Sequence, residues 1–300
     1  MAQVSQAGPL SGDAFAVEDQ PADYDVIRTQ FVDVKGTQFA YRRMGTHSET
    51  PLVLLTHFRA SMDNWDPALL NAIAKERTVI AFDNRGVAST GGDTPDTYGR
   101  MADDAAAFIH ALSYQKVDVL GFSIGGAIAQ ELLLNHGELV RKCVLAAAMP
   151  PGGKGILQSL PDIAAIAVKP TVELNDFLIL FFSPTTSSQA LGKAFLARRS
   201  ARTIDMEPPT SAQTMRAQGL ARKAWSEMDE RKGREALSKV RQPILVANGS
   251  NDLMISTPYS FTLFQTLPNA QLILYPDSGH GFMFQYPALF TRHLSLFLSG

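Results

Sequence analysis

The chain has 300 residues, 27 Lys and Arg against 29 Asp and Glu, and 45% hydrophobic residues. That length can bury one α/β domain with an insertion or two small domains, and the composition is ordinary for a globular enzyme. A net charge of −2 without any basic block excludes a surface built for nucleic acid or for an anionic membrane. The single cysteine, Cys143, excludes an internal disulfide, and in the apolar run Cys143–Ala148 it is expected to be a buried, inert thiol.

In chain order, Met1 to about Tyr24 lacks a basic start followed by an apolar stretch, so it reads as a flexible tail (1–24) rather than a secretory signal. No run of about eighteen apolar residues follows, so no membrane span is expected and a cytoplasmic location is the default. Ile27–Val34 and Gln38–Arg43 alternate apolar and polar residues and predict an antiparallel opening pair. Six continuously apolar runs come next: Leu52–Thr56, Thr78–Phe82, Val117–Gly121, Lys142–Ala147, Pro243–Ala247 and Gln271–Tyr275. Such runs fit parallel strands buried on both faces.

Helical patterns separate them at Pro67–Lys75, Met101–Leu112, Ile124–His136, Pro258–Leu267 and Pro287–Leu298. Three of these open on proline, which a first helical turn accepts without losing a hydrogen bond. The alternation breaks from Pro150 to about Lys239, where helical patterns run on without a strand signal. The expected fold is therefore α/β: a mostly parallel eight-stranded sheet with helices on both faces, its core in 25–149 and 240–300, and a helical cap inserted over 150–239.

The sharpest local signal is Gly121-Phe122-Ser123-Ile124-Gly125, between an apolar strand and a helix. A turn that tight strains the serine backbone and leaves space only for glycine two residues to either side. It exposes the Ser123 hydroxyl at the C-terminal edge of the sheet, with the Ile124 N–H at the helix start facing any oxyanion formed there. A serine nucleophile needs a histidine base, and that histidine needs a carboxylate. His110 and His136 fall on core helices, His47 in a hairpin-like loop and His293 on the last helix, all structural positions. His280 sits instead in a flexible loop between the last strand and the last helix, which predicts it as the base. Asp252 follows the strand Pro243–Ala247 and is the predicted carboxylate, whereas Asp277 is expected to brace its own loop. The loop after the third strand should supply a second oxyanion donor from Phe58 or Arg59, with His57 as a structural hydrogen-bonding residue.

With these residues in place, the chain resembles the α/β-hydrolase superfamily from about Ile27 to Phe297. Phe82-Asp83-Asn84-Arg85-Gly86 is similar to that family's Asp-x-Arg-Gly turn, which is structural and gives Asp83 and Arg85 no catalytic part. The nearest resemblance is to serine esterases, cofactor-free haloperoxidase-like perhydrolases and carbon–carbon bond hydrolases with a helical cap. Where the family reads His-Gly-x after the third strand, this chain reads His57-Phe58-Arg59. A one-residue deletion puts Phe58 in the oxyanion position, and without one Arg59 takes it; we assign Phe58. Arg59 is then available to pair with an anionic substrate, or to form a salt bridge at the rim.

The resemblance implies hydrolysis of an ester, lactone or thioester through an acyl-enzyme, with carbon–carbon bond hydrolysis or perhydrolysis as the alternative and a ligand receptor as a third reading. Neither a metal nor any other cofactor is expected, because no His or Cys pair has ligand spacing. The expected partner is a small-molecule substrate, and a homodimer is left open. Phe181, Phe182 and Trp225, with Phe177 and Phe195, are candidate linings for the substrate pocket, although apolar residues at helical spacing commonly serve packing alone.

Overall fold

The computed structural model describes residues 23–154, 160–169 and 171–300. Eight strands form one sheet: β1 (Gln30–Val34), β2 (Thr37–Met44), β3 (Leu52–Leu55), β4 (Val79–Phe82), β5 (Val117–Phe122), β6 (Val140–Ala146), β7 (Ile244–Gly249) and β8 (Ala270–Tyr275). Their spatial order is β1-β2-β4-β3-β5-β6-β7-β8. β2 pairs antiparallel with β1 and β4, and every later pairing is parallel.

Helices cover both faces because strand side chains alternate. On β3, Leu52 and Leu54 point to one apolar cluster while Val53 and Leu55 point to the other. The first cluster takes Leu69 and Leu70 of helix α1 (Pro67–Ala74) and, near the C-terminus, Phe290 and Leu294. The second takes Phe108 of α2 (Tyr98–Ala111) and Ile128 and Leu132 of α3 (Ile124–Asn135). Each fully buried Leu or Phe of this kind contributes roughly 1.5–3 kcal/mol. α2 starts three residues before the apolar periodicity does, since Thr97 caps it by accepting from Arg100 N.

Between β6 and β7 the chain leaves the sheet and forms α4 (Pro161–Ala167), α5 (Leu174–Phe181), α6 (Thr186–Arg199), α7 (Ala212–Glu227) and α8 (Glu230–Leu237). α9 (Pro258–Thr266), α10 (Phe282–Gln285) and α11 (Pro287–Ser299) complete the chain. The inserted helices are pinned to the sheet domain at several points. Arg198 meets Asp66 at 2.6 Å and Glu207 meets the buried Arg42 at 3.1 Å. Phe195 stacks on Phe284 with centroids 4.3 Å apart.

Three expectations need correction. The 1–24 tail lies outside the described residues as far as residue 22. Tyr24, however, is buried, and its hydroxyl donates to Met62 O at 2.8 Å, because the ring fills space beside α1. β8 is not buried on both faces: it is the sheet edge, and Leu274 is 45% exposed. Asp277 braces the insertion rather than its own loop, accepting from Thr185 Oγ1 and Ser187 Oγ at 2.8 Å where α6 begins. Cys143 is fully buried in β6, and burial pushes its thiol pKa up, as an inert core cysteine requires. Among the described residues no helix is long and apolar enough to cross a membrane.

Candidate active site

Ser123 ends β5 and precedes α3 with φ 59° and ψ −118°, a left-handed conformation that costs a non-glycine residue about 1–3 kcal/mol. The strain is held in place by close packing on both sides. A Cβ at Gly125 would lie 2.1 Å from Leu55 O, and one at Gly121 would lie 2.3 Å from Gly125 O. Ser123 N donates to Ala146 O at 2.9 Å, which ties the turn to β6.

His280 is 1% exposed, in a segment packed beneath the insertion rather than in the flexible loop expected. Gly281 N donates to Phe181 O at 2.7 Å, and a Cβ at Gly279 would lie 3.0 Å from that same oxygen. His280 Nδ1 lies 2.8 Å from Asp252 Oδ2, with both side chains buried. The other carboxylate oxygen, Asp252 Oδ1, accepts from Met254 N at 2.8 Å and Ile255 N at 2.9 Å. An ionised carboxylate can only accept, so Nδ1 carries the imidazole proton and Nε2 presents its lone pair. Among the described residues Nε2 has no hydrogen-bond partner, and His280 lines the same cavity of about 420 Å³ as Ser123.

The loop after β3 separates the two candidate donors. Arg59 N already donates to Gln218 Oε1 at 2.8 Å. Phe58 N has no acceptor among the described residues, and Phe58 borders the cavity beside Ser123. The backbone N–H of Ile124 opens α3 and has no preceding helical turn to bond. The Arg59 side chain lines the cavity while donating to Lys169 O at 2.6 Å. Asp83 serves the loop structurally by accepting from Met62 N at 2.7 Å, and Arg85 chelates Asp104.

His57 also lines the cavity. Burial pulls its pKa down from 6.5 to about 3, so the ring is neutral, and its Nδ1 lies 3.1 Å from Phe58 O. Of the aromatic residues in the insertion, Phe177 and Phe181 line the large cavity. Trp225 lines a second, smaller one of about 40 Å³ with Ile124, Ala127 and Met149. Phe182 and Phe195 border neither. Phe182 packs inside the insertion against Gly192, and Phe195 packs across to Phe284 of the sheet domain, which removes both from the pocket lining expected of them. The two cavities meet at Phe58, Ser123, Ala167 and Met254. Arg199 and Arg222, on α6 and α7, line the large and the small cavity respectively. Arg199 lies one turn after the buried Phe195 and Leu196, and Arg222 lies one turn before the buried Trp225, so helical spacing from these apolar residues was the signal that could have found them. Among the described residues no group of three or more His, Cys, Asp or Glu has the arrangement to hold a metal ion.

A strained serine at a strand–helix turn, a buried histidine–aspartate pair and a roofed cavity define an α/β hydrolase. The family model for the alpha/beta hydrolase fold matches residues 50–287, and the chain belongs to that family. An alpha/beta hydrolase fold protein from Chitinophaga pinensis is 39% identical, covers 93% of this chain and 99% of its own, and superposes with a TM-score of 0.87. A pimeloyl-[acyl-carrier protein] methyl ester esterase of Nitrosomonas europaea is 32% identical over 184 residues, 59% of this chain and 69% of the esterase. A poly(3-hydroxyalkanoate) depolymerase of Ectopseudomonas oleovorans is 27% identical over 262 residues, 86% of this chain and 87% of the depolymerase.

Proposed function

We propose that the protein is a serine hydrolase that cleaves a small to medium ester, lactone or thioester on a Ser123–His280–Asp252 triad. The observation that carries this reading is the buried 2.8 Å contact between His280 Nδ1 and Asp252, which leaves Nε2 without a partner among the described residues, on the cavity that Ser123 lines. In this mechanism Nε2 takes the Ser123 proton as Oγ attacks the substrate carbonyl carbon. The negative charge moves to the carbonyl oxygen, which accepts from the N–H groups of Phe58 and Ile124. The imidazolium, held by Asp252, then protonates the departing alcohol or thiol as the carbon–heteroatom bond breaks, leaving an acyl-enzyme on Ser123. Water repeats the sequence: it loses a proton to Nε2, attacks the acyl carbon and releases the acid and the serine.

A relative that is named as an esterase is in keeping with ester chemistry. The test is turnover of p-nitrophenyl acetate by the purified protein, with Ser123→Ala as control. Loss by several orders of magnitude in a variant that still folds is expected, together with phosphonate labelling of Ser123 alone. Labelling at another residue with Ser123 untouched would refute the assignment.

A further inference from the structure

The large cavity contains a cation whose charge no group among the described residues meets. Arg199, at the C-terminal end of α6, lines it with its guanidinium carbon 5.1 Å from the Phe177 ring centroid and 5.8 Å from that of Phe195. Among the described residues it forms no ion pair and no hydrogen bond. Its neighbour in sequence, Arg198, is by contrast fully engaged with Asp66 and Phe284 O. The acid nearest in influence, Asp63, is already shared between Arg42 at 2.6 Å and Arg202 at 3.4 Å. Glu173 also borders the cavity but is exposed, where water screens its charge. A half-buried guanidinium resting on aromatic faces, with its N–H groups unspent, is poised to take a planar anion in a fork of two hydrogen bonds.

We infer, resting on the serine-hydrolase reading of this site, that the substrate carries a carboxylate on the larger of the two groups flanking its scissile carbonyl, and that Arg199 binds it. The cavity geometry fixes which group that is. Ser123 stands where the large cavity of about 420 Å³ meets the small one of about 40 Å³, so the two substituents of the attacked carbon go separate ways. The small cavity takes the smaller group. The large one holds a chain that runs along the stacked Phe177–Phe181 pair, centroids 4.0 Å apart, of which Phe181 meets the His280 ring at 5.2 Å. The carboxylate thus lies one aromatic pair away from the base. A monomethyl ester of a linear dicarboxylic acid has this chemistry. An ester bearing the carboxylate on a long alcohol, with a short acyl group, has it too.

The test separates anion recognition from turnover. Monomethyl adipate and neutral dimethyl adipate are titrated calorimetrically into Ser123→Ala and into Ser123→Ala/Arg199→Gln. The monoanion should bind Ser123→Ala more tightly, and the Arg199 change should weaken it by about 10- to 100-fold while leaving the diester within about threefold. Arg199→Lys, which keeps the charge but loses the planar fork, should fall in between. Equal weakening of both esters by Arg199→Gln would overturn the inference. Whether either ester is hydrolysed by the unaltered protein tests the triad separately. A second pair of probes, acetyl esters of 4-hydroxybutanoate and of its methyl ester, distinguishes a carboxylate on the alcohol side from one on the acyl side. Preference for the anionic member in at least one pair supports the proposal, and preference in neither defeats it.

Discussion

Replacing Asp252 by Asn perturbs a site in which both carboxylate oxygens have assigned work. Oδ1 accepts from the N–H groups of Met254 and Ile255, and Oδ2 accepts from His280 Nδ1. An asparagine has one oxygen and one amide nitrogen to divide between them. If the nitrogen faced the two backbone donors, both would be stranded in a buried site, at about 1–3 kcal/mol each. The oxygen therefore stays on the backbone side, and the amide NH₂ faces His280. That donor stabilises the tautomer with its proton on Nε2, the nitrogen that must be empty to accept the Ser123 proton. The expected loss in kcat is on the order of 10⁴, equivalent to about 5.5 kcal/mol of transition-state stabilisation, with little change in thermal stability. The comparison variant is Asp277→Asn. Asp277 lies in the same loop as His280, but its carboxylate accepts from Thr185 and Ser187 rather than from the histidine, so its activity should fall by less than about tenfold. The assay is kcat on p-nitrophenyl acetate, with unfolding temperature measured alongside. A loss at Asp277 equal to or greater than that at Asp252 would refute the reasoning.

Two further outcomes follow from the buried groups around the site. Trp225→Ala should enlarge the small cavity and move chain-length preference toward longer groups, measured across a p-nitrophenyl ester series, while Phe182→Ala, which borders neither cavity, should lose comparable stability (about 3–5 kcal/mol each) with a flat selectivity change. His57, held neutral by burial with a pKa of about 3 against 6.5 when unfolded, binds fewer protons folded than unfolded between those values. Its contribution is therefore fully present above about pH 6.5 and is lost as pH falls toward 3; His57→Gln should flatten that part of the stability–pH curve in denaturant titrations, and an unchanged slope would count against the burial argument.

The backbone course of the sheet domain was legible in the sequence because its signals are local. Apolar runs of strand length, proline at helix starts and glycines two residues either side of Ser123 each state a steric or solvation constraint that the nearby chain must satisfy. The pairing of Asp252 with His280 was legible for a related reason: each follows a parallel strand, and parallel strands deliver their C-terminal loops to one edge. Strand position within the sheet was not legible. β8 has an apolar sequence like that of its neighbours, yet only the order of the strands makes it the edge.

Which atom does what was decided by the tertiary structure. Phe58 and Arg59 are adjacent and equally placed in sequence, and the difference is that Gln218, 159 residues away on α7, takes the Arg59 N–H. Phe181 and Phe182 are likewise consecutive, but the former turns to the cavity and the latter to Gly192, because the end of α5 presents neighbouring residues to different surroundings. Asp277 looks like a brace for its own loop until α6 brings Thr185 and Ser187 to it. Arg198 and Arg199 are indistinguishable as a dipeptide, and the fold gives Asp66 to the first and the aromatic faces of Phe177 and Phe195 to the second. A side chain's chemistry depends on groups distant in sequence that reach it through folding, and local sequence constraints carry no record of them.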